Sequence, residues 1–130
     1  MNETTTSPAG ARWRELLEAR AIPAEILAAA PQDPHRHLPA RFLPPAVPED
    51  TPSRRTALAL LGPEGGSALD VGCGAGAAGI ALLPVVRHLT GTDHAEDMLR
   101  VFESACTERG LAHRCVLGPW PQTAPEVGVA

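Results

Sequence analysis

Apolar residues in the second half of the chain switch repeatedly between strand spacing and helical spacing. Short apolar runs predict strands over Ser67–Gly72, His88–Thr92 and Arg114–Leu117. Between them, apolar residues at helical spacing predict helices over Ala75–Leu83 and Ala95–Arg109. Because strands and helices alternate, we predict a parallel sheet whose crossover connections are right-handed.

The helix predicted over Ala95–Arg109 has the clearest end signals. Asp93 and Glu96 have the spacing of a capping-box variant at its start, and Gly110 lies where a left-handed C-terminal cap belongs. Its apolar stripe consists of Met98, Leu99, Phe102 and Cys106.

The first part of the chain is predicted to be helical. Ser7-Pro8 combines a capping residue with a proline at the first helical position. A second short helix is predicted over Pro23–Ala30, and we expect Trp13 to be buried between the two helices.

A proline-rich connector follows over Pro31–Pro48. Its histidines, His35 and His37, are expected to be solvated surface residues. Thr51-Pro52 repeats the capping signal, and a helix is predicted over Arg54–Leu61.

The chain is therefore expected to have two parts. Residues 1–50 are predicted to form a helical N-terminal segment with the proline-rich connector. Residues 51–130 are predicted to form a partial Rossmann-like α/β domain with flanking helices. Val127–Ala130 is interpreted as the start of a fourth strand, so the sheet is expected to be incomplete, with an unpaired edge that invites self-association.

Composition excludes several classes of function. The 130 residues are 44% hydrophobic and 20% charged, which is typical of a globular domain. The net charge of −4 and the absence of lysine argue against a nucleic-acid partner. No signal peptide or membrane-spanning stretch is visible. The three cysteines lack metal-like spacing, so reduced thiols in a cytoplasmic protein, without a metal, are expected.

The segment Asp70–Gly76 joins the first predicted strand to the next helix. It reads Asp-Val-Gly-Cys-Gly-Ala-Gly, with a glycine at every second position from Gly72. Glycine tolerates positive φ and leaves room for a ligand to approach the backbone. Free N–H groups at a helix start favour a negatively charged group. This loop is thus a predicted binding site for a carboxylate or phosphate.

Asp93 follows the second predicted strand directly. In an open α/β sheet, ligands lie across the carboxyl ends of the strands. A carboxylate at this position can accept hydrogen bonds from both hydroxyls of a ribose. The glycine loop and Asp93 together predict one nucleoside site on two adjacent strands.

Two nucleoside cofactors compete for this site. Gly74-x-Gly76-x-x-Gly79 satisfies the dinucleotide pattern, and so does Gly72-x-Gly74-x-x-Ala77. Asp70 favours a different ligand. A carboxylate does not help to bind a pyrophosphate, which is also negatively charged, but it suits a cation such as an amino group.

These residues resemble the class I S-adenosylmethionine (SAM)-dependent methyltransferases over roughly residues 51–130. The resemblance rests on Leu69–Gly76, Gly91-Thr92-Asp93 and Met98-Leu99. It implies that SAM is the cofactor and that an unknown acceptor, expected to be a small molecule, receives the methyl group. Its implied cofactor-binding residues are Asp70, Gly72, Gly74 and Gly76 at the methionine end, Asp93 at the ribose and His94 beside the adenine.

The sequence also departs from this family. Many members have an acid after the third strand, where this chain has Leu117–Trp120; Trp120 could stack on adenine instead. The family's sheet has seven strands, and the segments that bring the acceptor and any catalytic base in that family are not expected within these 130 residues. A nicotinamide-dependent oxidoreductase fragment and a truncated, non-catalytic cofactor-binding or interaction protein therefore remain as alternatives, and no catalytic residue is assigned.

Overall fold

The computed structural model describes residues 7–31 and 38–128. Its internal contacts divide the chain into two compact units, residues 1–37 and residues 38–130. Among the described residues, no helix combines the length and the apolar character needed to cross a membrane.

The first unit contains two helices, α1 (Pro8–Ala19) and α2 (Ala24–Ala29). As predicted, Ser7 caps α1, since its side-chain oxygen accepts a hydrogen bond from the Gly10 N–H at 3.1 Å. The predicted burial of Trp13 is wrong, because its side chain is 63% exposed. Neither short helix contains a buried residue, so they form no core around it. His35 and His37 lie outside the described residues.

The second unit is an α/β structure with three parallel strands in the order β1-β2-β3. The strands are β1 (Gly66–Val71), β2 (Val86–Asp93) and β3 (Ala112–Leu117). Asp70 is aligned with Gly91, which is aligned in turn with Cys115. The predicted Rossmann-like class and parallel strand direction are confirmed.

Helices α3 (Pro52–Leu61), α4 (Ala77–Ile80) and α5 (Glu96–Glu108) complete this unit. A 3-10 turn over Pro39–Phe42, inside the predicted connector, lies against α5. Thr51 caps α3 as predicted, because its hydroxyl oxygen accepts a hydrogen bond from the Arg54 N–H at 3.2 Å.

Helix α4 is much shorter than the predicted Ala75–Leu83. Gly76 has a φ of 93°, outside the helical region, so the helix begins only at the next residue. At the other end, Leu82 N–H and Leu83 N–H donate to carbonyls three residues back, which tightens the chain into turns. The following Pro84 cannot continue a helix.

The sequence predicts a cap at each end of α5, and only the C-terminal one is confirmed. Gly110 adopts a φ of 64°, and the Leu111 N–H donates to the Cys106 carbonyl, so the predicted glycine cap is confirmed as a Schellman motif. The predicted capping box is wrong: the N-cap residue is Ala95, which makes no side-chain capping bond. The Asp93 carboxylate instead accepts hydrogen bonds from the backbone N–H groups of Gly74 and Ala95.

The core lies between the sheet and the helices on one of its faces. Phe102 of α5 and Leu89 of β2 are fully buried within it. Gly91 makes close packing possible, because an added Cβ would lie 2.7 Å from the Phe102 ring and 2.8 Å from the Cys73 sulfur. The alternate side chains of β1 lie on the opposite face, where Leu69 is 37% and Val71 is 43% exposed.

Strand β1 has a hydrogen-bonded neighbour on only one side within the described residues. The predicted fourth strand is wrong for Val127 and Gly128: a 3-10 turn covers Ala124–Val127, and Gly128 has a φ of 75°, which is incompatible with a strand. The last two residues lie outside the described part of the chain. Self-association through the β1 edge stays a prediction.

We expect Phe102→Ala to lower the free energy of unfolding by about 3–5 kcal/mol, because it removes a fully buried ring from the core. Urea unfolding followed by circular dichroism measures this change. Leu60→Ala is the matched control: Leu60 is 84% exposed on α3, so its substitution should change stability by less than about 0.5 kcal/mol. Equal effects of the two substitutions would contradict this account of the core.

Candidate functional site

The glycine loop after β1 has an open backbone at two of its three glycines. Gly72 and Gly74 have φ values of 67° and 52°, and a Cβ added to either would meet no atom within 4 Å. At Gly76 an added Cβ would lie 2.7 Å from the Phe102 ring. Gly72 and Gly74 therefore leave space beside the backbone for a ligand, whereas Gly76 is required by packing of the core.

Asp93 connects this loop to the start of α5. Its Oδ2 accepts a hydrogen bond from the Gly74 N–H at 2.9 Å, and its Oδ1 accepts one from the Ala95 N–H at 2.9 Å. The side chain is 10% exposed. A carboxylate has about four lone-pair sites, so both oxygens keep acceptor capacity for a ligand.

Asp70 lies on the same face of the sheet as Asp93. It is aligned with Gly91 of β2, and side chains two residues apart on a strand point to the same face. Its Oδ2 accepts a hydrogen bond from the Gly79 N–H at 3.2 Å. Burial raises the pKa of Asp70, and this effect outweighs the hydrogen bond from Gly79, which lowers it; the nearby negative charge of Asp93 raises the pKa further. The structure thus brings both sequence-predicted carboxylates to one edge of the sheet, within electrostatic range of each other.

The outer part of the site is formed by two less buried residues. The His94 side chain is 78% exposed, and its Nδ1 lies 3.6 Å from Asp93 Oδ1. The Gly118 N–H donates to the Asp93 carbonyl at 2.9 Å, which places the chain after β3 beside the end of β2. Trp120, which is 40% exposed, follows two residues later on this segment.

Cys73 lies inside the loop and is buried against Gly91. Burial raises the pKa of its thiol to about 12, with further contributions from the charges of Asp70 and Asp93. The thiol is therefore neutral and a poor nucleophile at physiological pH.

One amide of the loop and one of α4 are already bonded to carboxylates. The Gly74 and Gly79 N–H groups donate to Asp93 and Asp70, and α4 has only four residues. A pyrophosphate would therefore meet two negative side chains and few free donors. The arrangement suits a ligand that presents a cation to Asp70 and hydroxyl groups to Asp93.

The sequence did not indicate that packing requires a glycine at position 79. This residue completes the dinucleotide pattern, but a Cβ there would lie 2.7 Å from Leu89 and 3.1 Å from Asp70 Oδ2. Close packing against Leu89 and Asp70 therefore accounts for this glycine without a pyrophosphate. No group of three or more His, Cys, Asp or Glu side chains among residues 7–31 and 38–128 could hold a metal ion.

Neither a protein-family model nor a curated protein sequence matches the chain. Among solved structures, the YcgJ protein from Bacillus subtilis is similar to part of it, with 28% sequence identity and a TM-score of 0.43. The match covers 52% of this chain and 30% of that protein, so the chain corresponds to less than a third of its length.

We expect Cys73 to resist alkylation in the folded protein, because its pKa of about 12 leaves almost no thiolate at pH 8. Mass spectrometry after treatment with iodoacetamide would locate the label. The urea-unfolded protein is the control and should be labelled at all three cysteines. Rapid labelling of Cys73 in the folded state would contradict the described environment.

Asp70→Asn should make the protein at least as stable as the wild type at pH 7. The folded-state pKa of Asp70 lies above its ordinary value of 3.8, so the folded state binds this proton more tightly. The stability that protonation of Asp70 contributes is fully present below pH 3.8 and is lost as the pH rises through the folded-state pKa. Asparagine mimics the protonated form and keeps an acceptor for the Gly79 N–H.

Urea midpoints between pH 3.5 and pH 8 measure this effect, and the difference from wild type should shrink toward the acidic end. Glu64→Gln, an exposed position in the turn before β1, is the control for a lost charge. A marked loss of stability in Asp70→Asn at pH 7 would show that the ionised carboxylate supports the fold.

Proposed function

We propose that residues 38–130 bind SAM and form the cofactor-binding part of a class I methyltransferase, whose acceptor is a small molecule. The observation that carries this proposal is the pair of carboxylates, Asp70 and Asp93, on one face at the carboxyl ends of adjacent strands. They lie on either side of a loop whose backbone is open at Gly72 and Gly74.

The residues present fit this cofactor. Asp70 has one carboxylate oxygen without a hydrogen bond from the described residues, which suits it to the amino group of the methionine moiety. The open backbone at Gly72 and Gly74 accommodates the methionine end, with Gly76 completing the turn. Asp93 would accept hydrogen bonds from the ribose hydroxyls, and the exposed ring of His94 would lie beside the adenine.

Bound SAM would supply an electrophilic methyl group on a sulfonium centre. The contribution of this chain would be binding and orientation, because in-line displacement depends on holding the nucleophile and the methyl group in near-attack geometry. Cys73 is unsuited to act as a nucleophile or base, since its thiol remains protonated. No other described side chain in the site is assigned a proton-transfer step.

The nicotinamide alternative is supported less well by the same geometry. It requires a pyrophosphate at the loop, where two carboxylates already accept the Gly74 and Gly79 N–H groups. A non-catalytic cofactor-binding protein would share the proposed site and differ only in lacking methyl transfer.

Isothermal titration calorimetry with S-adenosylhomocysteine tests the binding proposal, with NAD as the competing ligand. We expect binding of S-adenosylhomocysteine and not of NAD. Asp70→Asn should weaken that binding at least tenfold, because a hydrogen bond to a charged group contributes about 1.5–3 kcal/mol. His94→Ala should weaken it by a smaller factor, since that side chain is mostly solvated.

Glu64→Gln serves again as the control and should leave the affinity unchanged. NAD binding without S-adenosylhomocysteine binding would reject the proposal. Unaltered affinity in Asp70→Asn, in a protein that remains folded, would reject the assigned role of Asp70.

A further inference from the structure

A cavity of 510 Å³ lies beside the proposed cofactor site, between α3 with its preceding segment and the β1–α4 region. Its volume falls within the range of small-molecule sites, about 300–1,000 Å³. Most of its wall is apolar and built from small side chains. These include Ala57, Ala68, Ala77 and Ala81, together with the larger Leu82.

Arg54 is the basic residue that lines this cavity. Its Nε donates a hydrogen bond to the Ala81 carbonyl at 2.8 Å, which fixes the half-buried guanidinium against α4. Within the described part of the chain, no carboxylate forms an ion pair with Arg54, whereas the adjacent Arg55 is paired with Asp50 at 2.9 Å. The terminal N–H groups of Arg54 are therefore positioned without an anionic partner.

We infer that this cavity binds a small, mostly apolar molecule carrying one carboxylate or a similar planar anion, which pairs with Arg54. A guanidinium presents parallel N–H donors that match a carboxylate, and a fixed one loses less freedom on binding. Glu49 and Asp70 also line the cavity, so a second negative charge on the ligand would be repelled.

The cavity and the glycine loop share Asp70. A ligand in the cavity would thus lie next to the methionine end of a bound cofactor. This proximity assigns the ligand as the methyl acceptor, and that assignment, unlike the binding itself, rests on the proposed function.

Octanoate and octanol are matched probes, because they share an apolar chain and differ in the anion. Ligand-observed NMR titrations of the full chain would give both dissociation constants. Octanoate should bind at least tenfold more tightly than octanol. Arg54→Met should weaken octanoate binding at least tenfold and leave octanol unchanged, while the control Arg55→Met should leave both unchanged.

If Arg54→Met does not fold, Arg54→Lys tests the same point. Lysine keeps the charge but lacks the planar pair of donors, so octanoate binding should weaken several-fold with octanol unaffected. Equal binding of octanoate and octanol, octanoate binding that is insensitive to Arg54, or binding of neither probe would overturn the inference.

Titration of the same samples with S-adenosylhomocysteine separates the two proposals. Octanoate binding without S-adenosylhomocysteine binding would retain the cavity as a ligand site and reject the methyltransferase function. The reverse result would reject only the cavity inference.

Discussion

The site depends on the carboxylate of Asp93 and the two backbone amides that it accepts. One oxygen binds the Gly74 N–H of the loop after β1, and the other binds the Ala95 N–H at the start of α5. A single side chain therefore fixes a loop from one strand against the helix that follows the next strand. Because the carboxylate is mostly buried, loss of either bond would leave a charged acceptor poorly satisfied.

Two glycines, one in β2 and one in the loop after β1, allow the core to pack next to the residues that Asp93 holds. Gly91 allows the Phe102 ring and the Cys73 sulfur to approach the centre of β2, and Gly76 allows the same ring to approach the loop. The position of α5 is thus set by packing on one side and by Asp93 on the other. The Phe102 ring is part of the core and also lies against the loop at Gly76. The geometry of the loop therefore depends on the packing of the core.

The parts of this structure that follow from the sequence are those determined by local pattern and topology. The order of β1, α4, β2, α5 and β3 follows from changes in apolar spacing, and the glycine cap at Gly110 follows from its position. Parallel strands also explain why Asp70 and Asp93 meet at one edge. The exposure of Trp13 depends on tertiary contacts, which no local pattern encodes. The length of α4 depends on the backbone conformation at Gly76 and on the turns before Pro84, which apolar spacing does not encode. The bonds from Gly74, Gly79 and Arg54 join distant residues, so their geometry was equally unpredictable.

The electrostatics of the site favour a particular kind of ligand. Burial is the main reason that the pKa of Asp70 is raised, and the repulsion from Asp93 adds to it, although the hydrogen bond from Gly79 acts in the opposite direction. A neutral asparagine at position 70 could also accept the Gly79 N–H, although less strongly than a carboxylate, so the fold alone does not require a charge there. A cationic group beside Asp70 would relieve both the repulsion and the unfavourable burial. The charge at this position is the physical argument for proposing a cofactor that presents an amino group rather than a pyrophosphate.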